Sequence, residues 1–378
     1  MNLIPPRILH IIGSRPQGGV GSVLLNYYRN IDKTKIQFDF ILHATSENGL
    51  FDEQVKSLGA NVYIFPRLSI KNSIKCFSEY LRFFCKNKDY LAVHLHSVNI
   101  AFMVFPLARY YGIQHAIAHS HATKYSDHKT RSLRNFILCL GLTKYATILF
   151  ACSKAAAAFL FGENTAKCGK VYIMNNAIDC DHFKYDKDIR HQVRTKLGID
   201  DKLVVGHVGR FAPQKNHSFL VTIFAEFAKT NKNSVLLLVG PLNELSSEIS
   251  SQVETLGLSK QVLFLGTRTD VNELFQAMDA FVLPSFFEGL PLVAIEAQAS
   301  GLPCVLSDSV TREAAITKNV TYLSLSEKAS LWSETISLSI HNGRREGTHE
   351  SNRLVGYDIC EEANKLETFY SSLILKSK

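Results

Sequence analysis

The feature that most constrains this chain is a regular alternation between short runs of β-branched and other apolar residues and amphipathic segments of helix length. This alternation is typical of βαβ units, in which helices cover a sheet of parallel strands. Because 378 residues exceed what one hydrophobic core usually serves, the pattern predicts an α/β protein with two Rossmann-like, doubly wound domains. The predicted strands lie near residues 7–12, 38–42, 62–65, 91–96, 115–119, 148–152, 170–174, 203–209, 235–239, 262–265, 280–283 and 303–306.

Domain boundaries are predicted from a change in periodicity. Residues 180–202 are charged and poorly periodic, which is typical of a linker with one short helix. We therefore place an N-terminal domain at residues 1–185 and a C-terminal domain at residues 200–355. An amphipathic helix follows a polar turn, and we expect residues 356–378 to pack back on the N-terminal domain. Two sheets that face each other across a cleft are the expected architecture.

Charge is distributed unevenly along the chain. Residues 1–180 contain 21 Lys and Arg against 10 Asp and Glu, whereas the remainder contains 21 against 24. A basic half favours an anionic partner, either phospholipid headgroups or nucleic acid. Neither the basic residues nor the aromatics are spaced as in a nucleic-acid module, so we expect no nucleic acid and favour an anionic membrane surface.

No segment predicts export or membrane insertion. Pro5, Pro6 and Arg7 interrupt the first apolar residues, and no apolar run approaches the ~18 to 20 residues that cross a bilayer. The eight cysteines include no CxxC pair and several lie in apolar stretches. We therefore expect buried thiols in a reducing cytoplasm, without a disulfide or zinc framework.

Two loops carry features of phosphate sites. Gly18 and Gly19 lie between a predicted strand and a helix, where a ligand can approach the backbone closely and the helix N-terminus favours an anion. The alternative is a plain tight turn. Arg210 and Lys215 follow the strand at 203–209, and two such cations can bind the two phosphates of a diphosphate. The alternative here is a solvated loop with incidental charges.

A pair of glutamates is the sharpest signal. Glu288 lies in a predicted strand-to-helix loop, and Glu296 follows eight positions later, about two helical turns into the helix. Carboxylates at two depths can accept hydrogen bonds from sugar hydroxyls, which suits a glycosyl donor and its ribose. The alternative is that both charges only complement the dipole at the helix start.

Taken together, these segments resemble the retaining GT-B glycosyltransferases of family 4, particularly the cytosolic enzymes of bacterial capsule and exopolysaccharide clusters. The resemblance covers nearly the whole chain. It rests on GGVG near the start, AHSHAT at 118–123, ACSKAAAAFLFG, NNAIDCDHF, VGRFAPQKN and EGLPLVAIE.

The resemblance implies roles for particular residues. Gly19, with Gly18 as its turn partner, is expected to donate to the distal phosphate of the donor, and Arg210 with Lys215 to clamp the diphosphate. Glu288 is expected to contact the transferred sugar and Glu296 the ribose hydroxyls. The backbone around Gly289 and Leu290 is expected to contact sugar and phosphate.

His119 matches the family histidine near the reacting centre, and a satisfied core histidine is the alternative. We expect His121 to point away from His119, and His94 and His96 to line the acceptor side or to be structural. The predicted catalytic residues are therefore His119 and Glu288. No Asp-x-Asp element stands where a metal site would be required, so we predict no metal and no other cofactor.

The resemblance also implies front-face substitution, in which the leaving diphosphate helps to deprotonate the acceptor hydroxyl. The expected partners are a nucleotide-sugar donor, with UDP favoured, and a lipid-linked glycan acceptor. Segment 124–145 combines basic residues with apolar residues at helical spacing, so it can lie in an anionic membrane interface. The alternative is a surface helix whose apolar stripe packs in the core.

Two other functions are compatible with the sequence. A nucleotide-sugar 2-epimerase would share the two-domain architecture and the diphosphate site. A catalytically inactive subunit could recruit an enzyme to the membrane, although the intact set of Arg210, Lys215, Glu288 and Glu296 argues against it.

Overall fold

The computed structural model describes residues 5–13, 19–44, 49–67, 69, 72–125, 129–343 and 356–376. The chain divides into two compact units. The first comprises Met1–Ala177 together with Gly356–Lys378, and the second comprises Ile178–Val355.

The first unit contains a seven-stranded sheet in which every paired neighbour is parallel. Its strand order is β3-β2-β1-β4-β5-β6-β7, so the order reverses between β1 and β4. The strands are β1 (Arg7–Ile12), β2 (Gln37–His43), β3 (Val62–Phe65), β4 (Tyr90–Leu95), β5 (His115–Ser120), β6 (Ile148–Ala151) and β7 (Val171–Ile173).

The second unit contains a six-stranded parallel sheet with the order β10-β9-β8-β11-β12-β13, which reverses between β8 and β11. In doubly wound sheets, ligands bind outside the carboxyl ends of the strands at such a reversal. The strands are β8 (Leu203–Val208), β9 (Ser234–Val239), β10 (Val262–Gly266), β11 (Ala280–Leu283), β12 (Cys304–Ser307) and β13 (Val320–Leu323).

Helices connect the strands and cover both sheets, as the predicted α/β class requires. Among the described helices, none is both long and apolar enough to cross a membrane. They are α1 (Val20–Asn30), α2 (Leu50–Ser57), α3 (Ser73–Lys86), α4 (Ala101–Tyr110), α5 (Lys129–Cys139), α6 (Leu142–Tyr145), α7 (Lys154–Phe161), α8 (Glu163–Lys167), α9 (Cys180–Phe183), α10 (Lys187–Leu197), α11 (His217–Thr230), α12 (Glu244–Thr255), α13 (Val271–Ala277), α14 (Leu292–Ala299), α15 (Ala329–Asn342) and α16 (Ile359–Lys376).

The chain returns to the first unit at its C-terminal end. Helix α16 packs against α1 and buries the aromatic ring of Tyr370 completely. The carboxylate of Glu367 accepts hydrogen bonds from the Lys35 ammonium at 2.8 Å and from the Asp32 amide at 2.9 Å. Helix α16 therefore belongs to the same hydrophobic core as the first sheet.

Segment 180–202 is not a separate linker. It contains α9 and α10, which pack in the second unit against α13. Arg190 donates to the Asp279 carboxylate at 2.5 Å, and Arg194 donates to the carbonyl oxygen of Ala277 at 2.8 Å. These contacts, formed with residues more than eighty positions away, place the boundary after Ala177 and extend the second unit toward the N-terminus.

The prediction that all eight cysteines are buried is wrong. None of the eight, all of which the structure describes, forms a disulfide, and Cys76, Cys139, Cys152 and Cys304 are buried. The side chains of Cys85, Cys168 and Cys360 are exposed, whereas Cys180 is half-buried.

Candidate functional site

An ion pair joins the loops that follow β8 and β11, at the strand reversal of the second sheet. The Nζ atom of Lys215 lies 2.7 Å from Oε1 of Glu288. Ser285 donates its hydroxyl to the same oxygen at 2.9 Å, and the Gln214 amide donates to Oε2 at 3.2 Å. The carboxylate of Glu288 is thus held in one orientation by three side chains.

Arg210, by contrast, is uncommitted. Its side chain is exposed and forms no hydrogen bond or ion pair with any residue that the structure describes. The side chains of Lys215 and Glu288 are only 15% and 10% accessible. The loop after β8 therefore supplies one exposed cation, Arg210, and one cation, Lys215, that is already paired with a carboxylate.

Two glycines let neighbouring backbones approach closely beneath this loop. A Cβ atom on Gly240, just after β9, would lie 2.1 Å from the carbonyl oxygen of Gly209. A Cβ atom on Gly209 would lie 3.1 Å from Cε of Lys215. Because both residues lack a side chain, the Arg210 backbone can lie close to residue 240 and the Lys215 side chain close to residue 209.

Helix α14 begins at Leu292, four positions after Glu288. Gly289 is half-buried, whereas the Leu290 side chain is 6% exposed and packs inward, so only its backbone can face a ligand. Glu296 lies in the second turn of α14 and is half-buried. Burial raises the pKa of Glu296 to about 7. At neutral pH this carboxyl can therefore hold or release a proton.

Glu296→Gln is expected to stabilise the protein increasingly as the pH rises from about 5 to about 8. In the unfolded chain a glutamate titrates near ~4.3, so wild-type stability is complete below that value and declines as the pH rises through about 7. The neutral amide avoids this cost, and its advantage should grow by up to about 3 kcal/mol between about pH 5 and about pH 8. Urea unfolding across this range measures it; a constant difference would contradict it.

In the first unit, Gly19 directly precedes α1 with φ of 35° and ψ of −101°. A Cβ atom there would contact nothing within 4 Å, so the backbone angle and not the space favours glycine. Gly19 is exposed at the N-terminal end of an 11-residue helix. Gly18 lies outside the described residues.

His119 lies at the carboxyl end of β5 and is almost completely buried. Its Nδ1 atom is 3.0 Å from Nε2 of His94, and its Nε2 atom has no partner among the described residues. The prediction that His121 points away is wrong, since the two rings stack with their centres 3.9 Å apart. Residues two apart in an extended chain lie on the same face.

Sequence reasoning missed several residues of these two sites. Gln214 and Ser285, which hold Glu288, lie inside the segments PQKN and LPSFFEG that were already singled out. His10 and Tyr370, which contact the histidines of β4, gave no local signal. The doublets His94–His96 and His119–His121 could have indicated a histidine cluster.

Helix α5 exposes its apolar residues instead of burying them. Lys129 and Arg131, near its start, are also exposed, and residues 126–128 of the predicted segment lie outside the described residues. The alternative of a core-packed stripe is therefore wrong. The exposed apolar residues, here called the α5 stripe, are Leu133 (61%), Phe136 (46%) and Ile137 (54%) of the helix and Leu140 (58%) just after it.

The chain is similar to several known proteins. The family described as Glycosyl transferases group 1 matches residues 189–353. The putative glycosyltransferase EpsF of Bacillus subtilis (strain 168) is 34% identical over 378 residues, 98% of each chain. The UDP-Gal:alpha-D-GlcNAc-diphosphoundecaprenol alpha-1,3-galactosyltransferase of Escherichia coli is 28% identical over 59% of each. Among solved structures, Anabaena Alr3699/HepE in complex with UDP and glucose matches with a TM-score of 0.80 at 20% identity, over 97% of this chain and 100% of that one.

Proposed function

Because this chain belongs to the glycosyl transferases group 1 family, we propose that it is a retaining enzyme that moves a hexosyl or N-acetylhexosaminyl group from a UDP-sugar to a lipid-linked oligosaccharide. Family membership makes it a glycosyltransferase of polysaccharide biosynthesis, and its two α/β units are those of the GT-B class. The choice of donor, acceptor and stereochemistry is the proposal.

The observation that carries this proposal is the Lys215–Glu288 pair beside the exposed Arg210, at the strand reversal of the second sheet. A diphosphate with two negative charges suits Arg210 as a bidentate donor and Lys215 as a point charge. Glu288, already oriented by Ser285 and Gln214, has acceptor capacity left for a sugar hydroxyl. We assign the ribose hydroxyls to Glu296.

The proposed chemistry is mainly electrostatic. As the bond to the leaving diphosphate breaks, negative charge grows on its oxygen atoms, and Arg210 and Lys215 would offset it. Cations held in place before the reaction can take the part that a metal plays in other transferases, so we propose that transfer is independent of metal. His119 and Gly19 of the first unit keep the roles that the family resemblance implies.

The printed names of similar proteins support the donor and acceptor classes. The Escherichia coli relative acts on UDP-Gal and a diphosphoundecaprenol acceptor, and the Anabaena structure holds UDP and glucose. A lipid-linked acceptor would require the enzyme to reach a membrane surface.

The test is a panel of UDP-, GDP- and dTDP-sugars added to the purified protein, with thermal stabilisation and donor hydrolysis followed with and without EDTA. Transfer to a diphosphate-lipid acceptor and NMR of the new anomeric centre follow for the sugar that stabilises best. We expect one UDP-sugar to stabilise equally with EDTA and to give a retained linkage. An inverted linkage would overturn the retaining stereochemistry, and epimerised donor in the absence of acceptor would overturn transfer as the reaction. Loss of activity with EDTA would overturn the independence of metal.

The α5 stripe supports a further part of the proposal, peripheral binding to the inner face of the cell membrane. Three exposed apolar side chains on α5 and a fourth just after it, with Lys129 and Arg131 at the start of the helix, match a bilayer that offers both acyl chains and anionic headgroups. The excess of basic residues in the first 180 positions acts in the same direction.

Replacing Leu133 and Ile137 together by serine is expected to lower partitioning onto phosphatidylglycerol vesicles at least about tenfold, since each leucine-sized side chain contributes roughly 1.5–3 kcal/mol on full burial. Vesicle co-sedimentation measures the change. The matched control replaces Leu242 and Leu256, which are 57% and 44% exposed in the second unit, and should bind like the wild type. Equal losses in both variants, or equal binding to neutral phosphatidylcholine vesicles, would contradict a specific anionic surface.

A further inference from the structure

Five histidines of the first unit form two hydrogen-bonded chains at the strand reversal between β1 and β4. In one chain, Tyr370 contacts Nδ1 of His94 at 2.7 Å, and Nε2 of His94 contacts Nδ1 of His119 at 3.0 Å. The other chain runs from His10 through His96 to His121, with N–N distances of 3.0 and 2.7 Å. Only the first chain ends at His119.

The rings meet edge to edge in a way that fits hydrogen bonds. The centres of the His94 and His119 rings are 5.1 Å apart for an N–N distance of 3.0 Å, and the planes are inclined by 32°. The bonded nitrogens therefore lie almost on the line between the ring centres. Such an arrangement directs the N–H of one ring straight at the lone pair of the next.

A metal ion would need a different arrangement. Two histidine triplets have ligand atoms within 4.8 Å of one another, His10 with His94 and His96, and His96 with His119 and His121. However, a zinc ion bound at about 2.0–2.1 Å needs lone pairs that converge on one point. Here the His94 and His96 rings stack at 9°, so their lone pairs run side by side. The geometry favours shared protons over a shared metal.

A second tyrosine–histidine pair in the same unit shows which group donates the hydrogen bond in such a contact. Nδ1 of His43 is 2.7 Å from the carbonyl oxygen of Pro66, which can only accept, so Nδ1 carries the hydrogen. Nε2 of His43 is therefore bare and accepts the hydroxyl hydrogen of Tyr80 at 2.8 Å. In this pair, the phenol donates to the imidazole.

The same direction in the first chain determines the tautomer of His119. Tyr370 is completely buried, and its hydroxyl has no other hydrogen-bond partner among the described residues. If Tyr370 donates to His94, then His94 donates from Nε2 to His119, and His119 must carry its own hydrogen on Nε2. The opposite direction would leave the phenolic hydrogen without an acceptor in the core, where no ligand could supply one.

We propose that Tyr370 is a positioning residue that acts through His94 to hold His119 in the Nε2–H tautomer, so that His119 meets the donor sugar as a neutral hydrogen-bond donor and not as a base. The tautomer follows from the geometry of the first unit alone, whereas the contact with the sugar rests on the proposed function. The Nε2 atom of His119 is buried at the carboxyl end of β5 and has no partner among the described residues, so it is the unsatisfied donor that we assign to an oxygen of the ligand.

The electrostatics of the cluster agree with neutral rings. Burial lowers the pKa of His119 and of His94 well below the usual histidine value, and the neighbouring histidines lower both further. Each ring therefore keeps a single hydrogen near neutral pH, as the chain requires.

The direct test is the protonation pattern of His119, read from nitrogen chemical shifts of protein labelled with ¹⁵N-histidine. Loss of signals in His119→Gln assigns them. In the wild type we expect a hydrogen-bearing Nε2 and a bare Nδ1. In Tyr370→Phe we expect a mixture of both tautomers, because the donor that biased the chain is gone. This measurement needs no substrate and remains decisive if the proposed transfer reaction is wrong.

The kinetic test compares Tyr370→Phe with Tyr80→Phe. Each variant deletes one buried hydroxyl bonded to a histidine, so their melting temperatures should fall similarly. We expect Tyr370→Phe to lower kcat roughly five- to tenfold, the factor that one neutral hydrogen bond contributes, with little change in the KM of the donor. Tyr80→Phe should keep the kcat and the His119 tautomer of the wild type.

Three results would overturn the proposal. A bare Nε2 on His119 in the wild type would reverse the direction of the chain. An unchanged tautomer in Tyr370→Phe would remove the role of Tyr370. If the purified wild type retains one zinc ion per chain and His94→Gln loses it, the histidine nitrogens bind a metal and do not form the proposed hydrogen-bonded chain.

Discussion

Glu288→Gln should lower kcat/KM for sugar transfer by about 10²–10³-fold while the protein remains folded. The amide keeps the size of the side chain, and its one oxygen can still accept from Ser285. It loses the charge that pairs with Lys215, and its NH2 group replaces the oxygen that accepts from Gln214 in the wild type. In the proposed reaction, Glu288 orients the transferred sugar and Lys215 stabilises the negative charge that develops on the diphosphate. Breaking their ion pair therefore impairs the reacting end of the donor. Initial rates with the donor chosen by the nucleotide-sugar panel measure the loss.

The partner variant separates stability from catalysis. Lys215→Met leaves the carboxylate of Glu288, only 10% accessible, without its cation, and removing one partner of a buried pair costs more than removing both. We therefore expect the double variant Lys215→Met/Glu288→Gln to recover the melting temperature lost in Lys215→Met, but not the transfer rate. Recovery of transfer in the double variant would mean that the pair is structural.

The exposed pair on α11 provides the matched control. Lys229 lies 2.8 Å from Glu226, with side chains 66% and 33% accessible, so the same kind of contact exists in the same unit away from the strand reversal. Lys229→Met should change the unfolding free energy by less than about 1 kcal/mol and leave transfer unaltered.

The sheets could be predicted from the sequence because strand formation in parallel sheets depends on local runs of apolar residues. The strand at 62–65 is confirmed to the residue, and the strand at 7–12 likewise. The edge strand β13 was missed, since four half-buried or exposed residues carry no continuous apolar run. Helices α6, α8 and α9 were missed because four or five residues are too short for a helical period to be visible.

Contacts between residues that are distant in the sequence explain the other features of the structure that were not predicted. Segment 180–202 has the composition of a linker, and its arginines become part of the second unit through contacts with Asp279 and with the carbonyl oxygen of Ala277, far along the chain. The histidine cluster depends on strand order, because β1, β4 and β5 become neighbours only in the folded sheet. Tyr370 approaches it from the last helix. No local pattern contains this information.

Two residues that were predicted to bind the donor lie close together in the second unit. Lys215 and Glu288, predicted separately from two motifs, form a direct ion pair. Their roles remain predictions, as do those of Gly19 and His119 in the first unit. What the sequence could not supply is the pairing itself, which depends on β8 and β11 being adjacent strands.

Gly240→Ala should impair nucleotide binding although residue 240 has no side chain to contact a ligand. The added methyl group would lie 2.1 Å from the carbonyl oxygen of Gly209 and 3.5 Å from the amide nitrogen of Arg210. Both contacts are with backbone, which cannot rotate away as a side chain can. Since Gly209 also donates its amide to the Val239 carbonyl at 2.9 Å, relief requires β8 and β9 to separate at their carboxyl ends.

The expected consequences are a loss of about 1–3 kcal/mol in unfolding free energy, typical of overpacking, and a fall of at least about tenfold in UDP affinity because Arg210 moves with the loop. Urea unfolding and isothermal titration with UDP measure the two effects.

Gly257→Ala is the control: its φ of 69° makes alanine costly by about 1 kcal/mol, but its Cβ atom would touch nothing within 4 Å. It should therefore lose stability and keep its affinity. If Gly240→Ala loses stability but binds UDP like the wild type, the Arg210 loop does not form the phosphate site.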